Sequence, residues 1–173
     1  MNTEFEQACR LLEAKPFRSD GPFERYTAEL WQFVDQKMPG FGPAWYRQLT
    51  ERFRIGGASF WYPIDADRDY MGHCTILRPS TFLRDVYAGW PLPEAGWPVS
   101  VLFQQGFFCF AEGDDGGFWM FHNDALDDPP VYFLELSGWN GKTASSTNGL
   151  ISPAITLSQL FQHGATYTEA NDE

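Results

Sequence analysis

Short aromatic runs broken by glycine- and aspartate-rich turns constrain this chain more than any other feature. Residues 99–103, 107–111, 118–121 and 131–136 read as strands, linked by Gln105-Gly106, Asp114-Asp115-Gly116-Gly117 and Asp127-Asp128-Pro129-Pro130. Turns this short join consecutive strands as antiparallel neighbours, so the pattern predicts a meander. Two earlier β-rich runs, 59–62 and 74–77, flank the polar segment 65–70.

Helical spacing governs the first third. Thr3-x-x-Glu6 is a capping-box pattern, and Phe5, Ala8, Cys9 and Leu12 follow on one face until Pro16. A second helix is expected from Pro22 to about Lys37, with Phe23, Tyr26, Leu30, Phe33 and Val34 as its stripe. After the break at 38–42, Pro43 suits the first turn of a third helix carrying Trp45, Tyr46, Leu49 and Phe53, which Gly56-Gly57 ends. Arg78-Pro79-Ser80 introduces a short helix with Phe82, Leu83, Val86 and Tyr87, and Trp90 and Trp97 sit in a proline-rich connection. Ser152-Pro153 is expected to cap a last helix bearing Leu157, Leu160 and Phe161, after a Gly/Ser/Thr/Asn loop at 137–152. The order predicts a single α+β domain: a largely antiparallel or mixed sheet meander, with N-terminal helices and a closing C-terminal helix packed on it. Residues 1–22 read as a helical extension, 23–165 as the domain, and 166–173 as a frayed acidic tail.

The charge is unevenly placed. Residues 1–84 hold 11 basic and 11 acidic side chains, whereas 85–173 hold 12 acidic ones against Lys142 alone. A nucleic-acid or anionic-membrane surface needs clustered Lys and Arg, so neither partner is expected. Disorder does not fit either, because 17% of the residues are aromatic. Cys9, Cys74 and Cys109 are odd in number and far apart, which suits buried thiols better than disulfides or a zinc knuckle. The acidic start at Met1 lacks the basic and apolar segments of a signal peptide, and no run approaches ~20 apolar residues. A cytoplasmic location is the expectation.

Chemical motifs are sparse. Asp65-x-Asp67-x-Asp69 opens like a calcium loop, but Tyr70 and Ile76 stand where glycine and glutamate are required, so a solvated acidic loop is expected. Gly40-x-Gly42 joins two helices and fails as a dinucleotide fingerprint. His73 and Cys74 are adjacent on a strand and so face opposite sides. His73, His122 and His163 lack ligand spacing and read as packing or surface residues, with no metal or other cofactor expected. Two features remain: turn carboxylates at Glu112, Asp114, Asp115, Asp124, Asp127 and Asp128, and tryptophans Trp90, Trp97, Trp119 and Trp139 near loops. The acids fit solubilising turns or a functional patch, and the tryptophans fit core packing or surface anchors.

The run Phe107-Phe108-Cys109-Phe110-Ala111-Glu112-Gly113-Asp114-Asp115-Gly116-Gly117-Phe118-Trp119-Met120-Phe121 resembles the central signature of the SUKH superfamily. Pro130-Val131-Tyr132-Phe133, the closing helix at 155–161 and the step at 76–82 are similar to its flanking elements, so the resemblance spans about 23–161. It implies a non-catalytic protein-binding fold. Bacterial members are widely immunity proteins that neutralise a cognate toxin, and fungal ones are regulatory scaffolds. The leading expectation is an immunity protein whose acidic, aromatic-flanked surface occludes a basic active site. Glu112, Asp114, Asp115, Asp127, Asp128 and Trp139 are its expected contacts, and a cognate toxin or other basic protein its partner. The alternatives are a small carbohydrate-active hydrolase, using turn carboxylates and surface tryptophans, and a cytosolic regulatory scaffold.

Overall fold

Six strands follow one another in chain order and pair in that order. In the computed structural model, which describes residues 3–15, 22–65, 70–80, 98–113 and 116–167, they are β1 (Ser59–Asp65), β2 (Tyr70–Ile76), β3 (Phe107–Glu112), β4 (Phe118–His122), β5 (Tyr132–Leu134) and β6 (Leu150–Ile151). Every neighbouring pair is antiparallel. The helices are α1 (Thr3–Glu13), α2 (Ala28–Lys37), α3 (Ala44–Arg52), α4 (Pro98–Gln104) and α5 (Leu157–Thr166). The α+β meander with helices at both ends of the chain is therefore the architecture.

Four elements differ from the sequence expectation. Residues 99–103 belong to α4, a helix and not a strand. A short apolar run does not distinguish the two by period alone, and Pro98 sits where a helix tolerates proline best. Gly106, at φ 84°, ends that helix, its amide bonding the Phe103 carbonyl at 2.9 Å. The second helix starts at Ala28 and not at Pro22, because Glu24 and Gly56 exchange backbone bonds of 2.8 and 3.1 Å in an antiparallel bridge. Thr27 then caps α2. The last helix is capped by Thr156 with Gln159 in a reciprocal capping box, downstream of Ser152-Pro153. The loop after β5 contains β6, and Asn140 and Asn148 side chains fold the remainder back on itself. The expected helix at 82–87 falls outside the described residues, as does 168–173.

β3 and β4 are buried on both faces. Phe108, Phe110, Trp119 and Phe121 on one parity and Cys109 and Met120 on the other are all inaccessible to solvent. On the helix side, Tyr46 of α3 meets Phe108 at 5.0 Å and Phe121 at 5.6 Å, while Phe41 meets Phe108 at 4.8 Å, all tilted or edge-on. α1 joins the same core through Phe5, Ala8, Cys9 and Leu12. It packs on α5, where Phe5 lies 5.5 Å from Phe161, and Lys15 Nζ donates to the Gly164 and Tyr167 carbonyls at the end of α5.

The exposed edge of β1 is blunted by three devices: Pro63, a register shift before Asp65, and His163, whose Nε2 donates to the Trp61 carbonyl at 2.9 Å. Gly164 lets α5 approach β1. A methyl there would overlap the ring of Phe60, which is 2% exposed. Gly164→Ala gains about 1 kcal/mol of helix propensity but forces about 1–3 kcal/mol of overpacking onto a ring with no room to move. Thermal unfolding should show no gain in melting temperature but a fall of up to roughly 8 °C, against the propensity scale.

Candidate functional site

The expected contact residues divide between the two ends of β4. Glu112 closes β3 and is exposed, directly opposite Thr75 on β2 and Phe118 on β4. Asp114 and Asp115 follow it outside the described residues, although the turn that carries them is framed by Gly113 N–H to the Gly117 carbonyl at 2.8 Å. Asp127 and Asp128 lie beyond the other end, in the β4–β5 connection. The two groups are separated by the length of β4, roughly 15 Å of strand. A glycosidase pair needs about 5–9.5 Å, so no such pair spans the two turns.

Two of the expected residues face inward. Asp128 holds a left-handed backbone at φ 59°, and its carboxylate accepts bonds from the Ser158 amide and hydroxyl, both at 2.7 Å. It anchors the first turn of α5. Trp139 is half-buried against the core, and its indole nitrogen is buried with no hydrogen-bond partner among the described residues. Trp119 is wholly core, its Nε1 donating to the His73 carbonyl at 2.8 Å. Trp90 and Trp97 lie outside the described residues.

Between Asn123 and Asp128 the chain builds a fixed loop. The Asn123 carboxamide accepts from Gly42 N–H and donates to the Gly40 carbonyl, both at 2.9 Å, tying β4 to the α2–α3 turn. Trp45 Nε1 donates to the Ala125 carbonyl at 2.9 Å. The same α2–α3 turn is clamped by Arg47, which is bidentate to Asp35 at 2.7 Å and donates to the Phe41 and Gly42 carbonyls. That guanidinium holds the Asp35 carboxyl below its usual range. On the loop so fixed, Leu126 is 85% exposed between the exposed Asp124 and Asp127.

A second constellation sits on the outer face of β1 and β2, where Ser59, Trp61, His73 and Thr75 are half-buried and Met71 is exposed. Their strand neighbours Phe60, Cys74 and Ile76 turn inward. Ser59 Oγ lies 2.7 Å from His73 Nε2, Thr75 Oγ1 lies 3.4 Å from His73 Nδ1, and Thr75 Oγ1 donates to Ser59 Oγ at 3.3 Å. The other histidines are engaged elsewhere: His122 stacks on Phe107 at 4.5 Å, and His163 holds the β1 edge.

The charge partition has a structural counterpart. Five of the described arginines of the first half pair with nearby acids: Arg25 and Arg54 with Glu13, Arg47 with Asp35, Arg52 with Glu6, and Arg78 with Glu24. Among the described residues no group of His, Cys, Asp and Glu converges as a metal site, and no helix is long and apolar enough to cross a membrane.

Sequence reasoning missed Leu126, Ser59, Trp61 and Thr75. Leu126 had a legible signal, a lone apolar residue inside Ala125-Leu126-Asp127-Asp128-Pro129-Pro130. The Ser59–His73 contact did not, since it depends on cross-strand register. Comparison with models of known families, with curated proteins and with solved structures finds no match to this chain.

Asp128→Ala leaves the Ser158 amide without its acceptor and the Ser158 hydroxyl with Thr156 Oγ1 alone, so stability should fall by about 1–3 kcal/mol, read as a lower urea midpoint. Burial pushes the thiols of Cys9, Cys74 and Cys109 well above the ordinary thiol range. The folded protein should therefore leave all three unreacted with a thiol reagent at pH 8, and all three should react once it is unfolded.

Proposed function

We propose that this chain is a non-catalytic protein-binding domain of the immunity type, which neutralises a cognate toxin by covering its basic active site. The observation that carries the reading is Leu126, held out at 85% exposure between two exposed aspartates on a loop fixed by Asn123, Trp45 and Asp128. An exposed leucine alone says little. Presented rigidly inside an acidic collar, it matches an apolar pocket rimmed by Lys or Arg, and the fixed loop has little ordering entropy left to lose on docking. The second half of the chain, with Lys142 as its one basic residue, adds a long-range field that favours a cationic partner. The resemblance of 107–121 to the SUKH signature supports the same class.

The reading is tested with the protein encoded beside this chain as candidate toxin. Leu126→Asp should weaken binding at least tenfold, chiefly through faster dissociation, while Asp124→Asn with Asp127→Asn should slow association and flatten its salt dependence. Co-expression of the unaltered chain should restore growth to cells making the toxin. Equal affinity of all variants would remove the loop from the interface, and failure to protect the cells would remove the immunity role.

A further inference from the structure

Two Asn-Gly pairs stand in the loop between β5 and β6, Asn140-Gly141 and Asn148-Gly149. Glycine after asparagine leaves the next backbone nitrogen unshielded, because no Cβ stands beside it. We propose that Asn140 is a site of spontaneous deamidation, promoted by the fold at that position and suppressed by it at Asn148. The chemistry needs only water and is independent of docking.

The step has a defined course. The Gly141 nitrogen bonds to Cγ of Asn140 and loses its proton to water or hydroxide. Negative charge gathers on Oδ1 as that carbon becomes tetrahedral. The bond from Cγ to Nδ2 then breaks, Nδ2 takes up a proton, and ammonia departs from a cyclic imide. Water opens the imide at either carbonyl, leaving aspartate or isoaspartate.

The surroundings of Asn140 suit each stage. The backbone N–H groups of Lys142 and Thr143 donate to Oδ1 at 2.9 and 3.1 Å, so two donors already sit where the charge develops. Gln105 sets those donors from outside the loop. Its Nε2 donates to the Lys142 carbonyl at 2.6 Å, and its Oε1 accepts from the Ala144 N–H at 2.9 Å. Asn140 and Gly141 are exposed, and a Cβ built on Gly141 would have no atom within 4 Å.

Asn148 is placed the other way. Its Nδ2, the leaving nitrogen, donates to the Thr143 carbonyl, and its Oδ1 accepts from the Asn140 N–H at 2.8 Å. The backbone after it is closed in. A Cβ on Gly149 would stand 2.5 Å from the Glu135 carbonyl oxygen, and the Gly149 carbonyl accepts from the Glu135 N–H at 2.9 Å. Attack on Asn148 therefore waits for the loop to open. Either product at position 140 sets a new carboxylate near Lys142, the one basic residue of the second half. Isoaspartate also adds a methylene to the main chain between Trp139 and Gly141.

The full chain, held at pH 8 and sampled over days by peptide mass mapping, tests this. In the folded protein Asn140 should convert at least tenfold faster than Asn148, and in urea the two rates should converge. Gly141→Ala should slow conversion at Asn140 at least tenfold. Gln105→Ala separates preorganisation from simple mobility. Releasing the Lys142 and Thr143 amides should slow conversion at Asn140 severalfold, whereas a site governed by loop mobility would speed up. Conversion of Asn140 no faster than that of Asn148 in the folded chain, or not slowed by Gln105→Ala, would overturn the proposal.

Discussion

The structure depends on β3 and β4 having no solvent face. Both parities of these strands are occupied by aromatic, thioether and thiol side chains sealed from water. Adjacent buried strands satisfy their backbone groups through each other, so the layer leaves no place for a polar side chain along its interior. Polar residues are displaced to the ends of the strands. The acid-rich turns are the counterpart of that exclusion: Glu112 and the aspartates stand where the apolar runs stop.

The helices complete this layer in unequal ways. α3 supplies the edge-on ring contacts to Phe108 and Phe121, and the turn before it is fastened both by Arg47 and by Asn123 at the end of β4. α5 lies against β1, and α1 packs on α5. β1 therefore has a protected edge on its backbone side and a half-buried outer face, where Ser59 Oγ meets His73 Nε2 at 2.7 Å. The Leu126 loop at the far end of β4 owes its rigidity to the same fastening that holds α3.

Much of this was legible in the residues. The Gly113–Gly117 turn, the α1 stripe, the burial of the three cysteines and the opposite facing of His73 and Cys74 all follow from local chemistry and from period. Residues 99–103 were misread because four apolar side chains in five positions satisfy a strand and a buried helix equally, and Pro98 decides the matter only when its helical role is weighed. β6 was hidden because a two-residue strand has no period. The site was less legible. Turn acids could be found by composition, but Asp128 faces inward because a serine 30 positions later meets it, and His73 meets Ser59 only through the register of β1 on β2.

The clasp between Lys15 and the end of α5 joins residues about 150 positions apart. Closing that contact carries the loop entropy of a separation of 149 positions, a cost that grows only slowly with length. Phe5 also meets Trp45 of α3 at 6.0 Å, so α3 and α5 share the covering of the α1 stripe. A truncation that removes α5 would uncover the side of α1 that faces Phe161 as well.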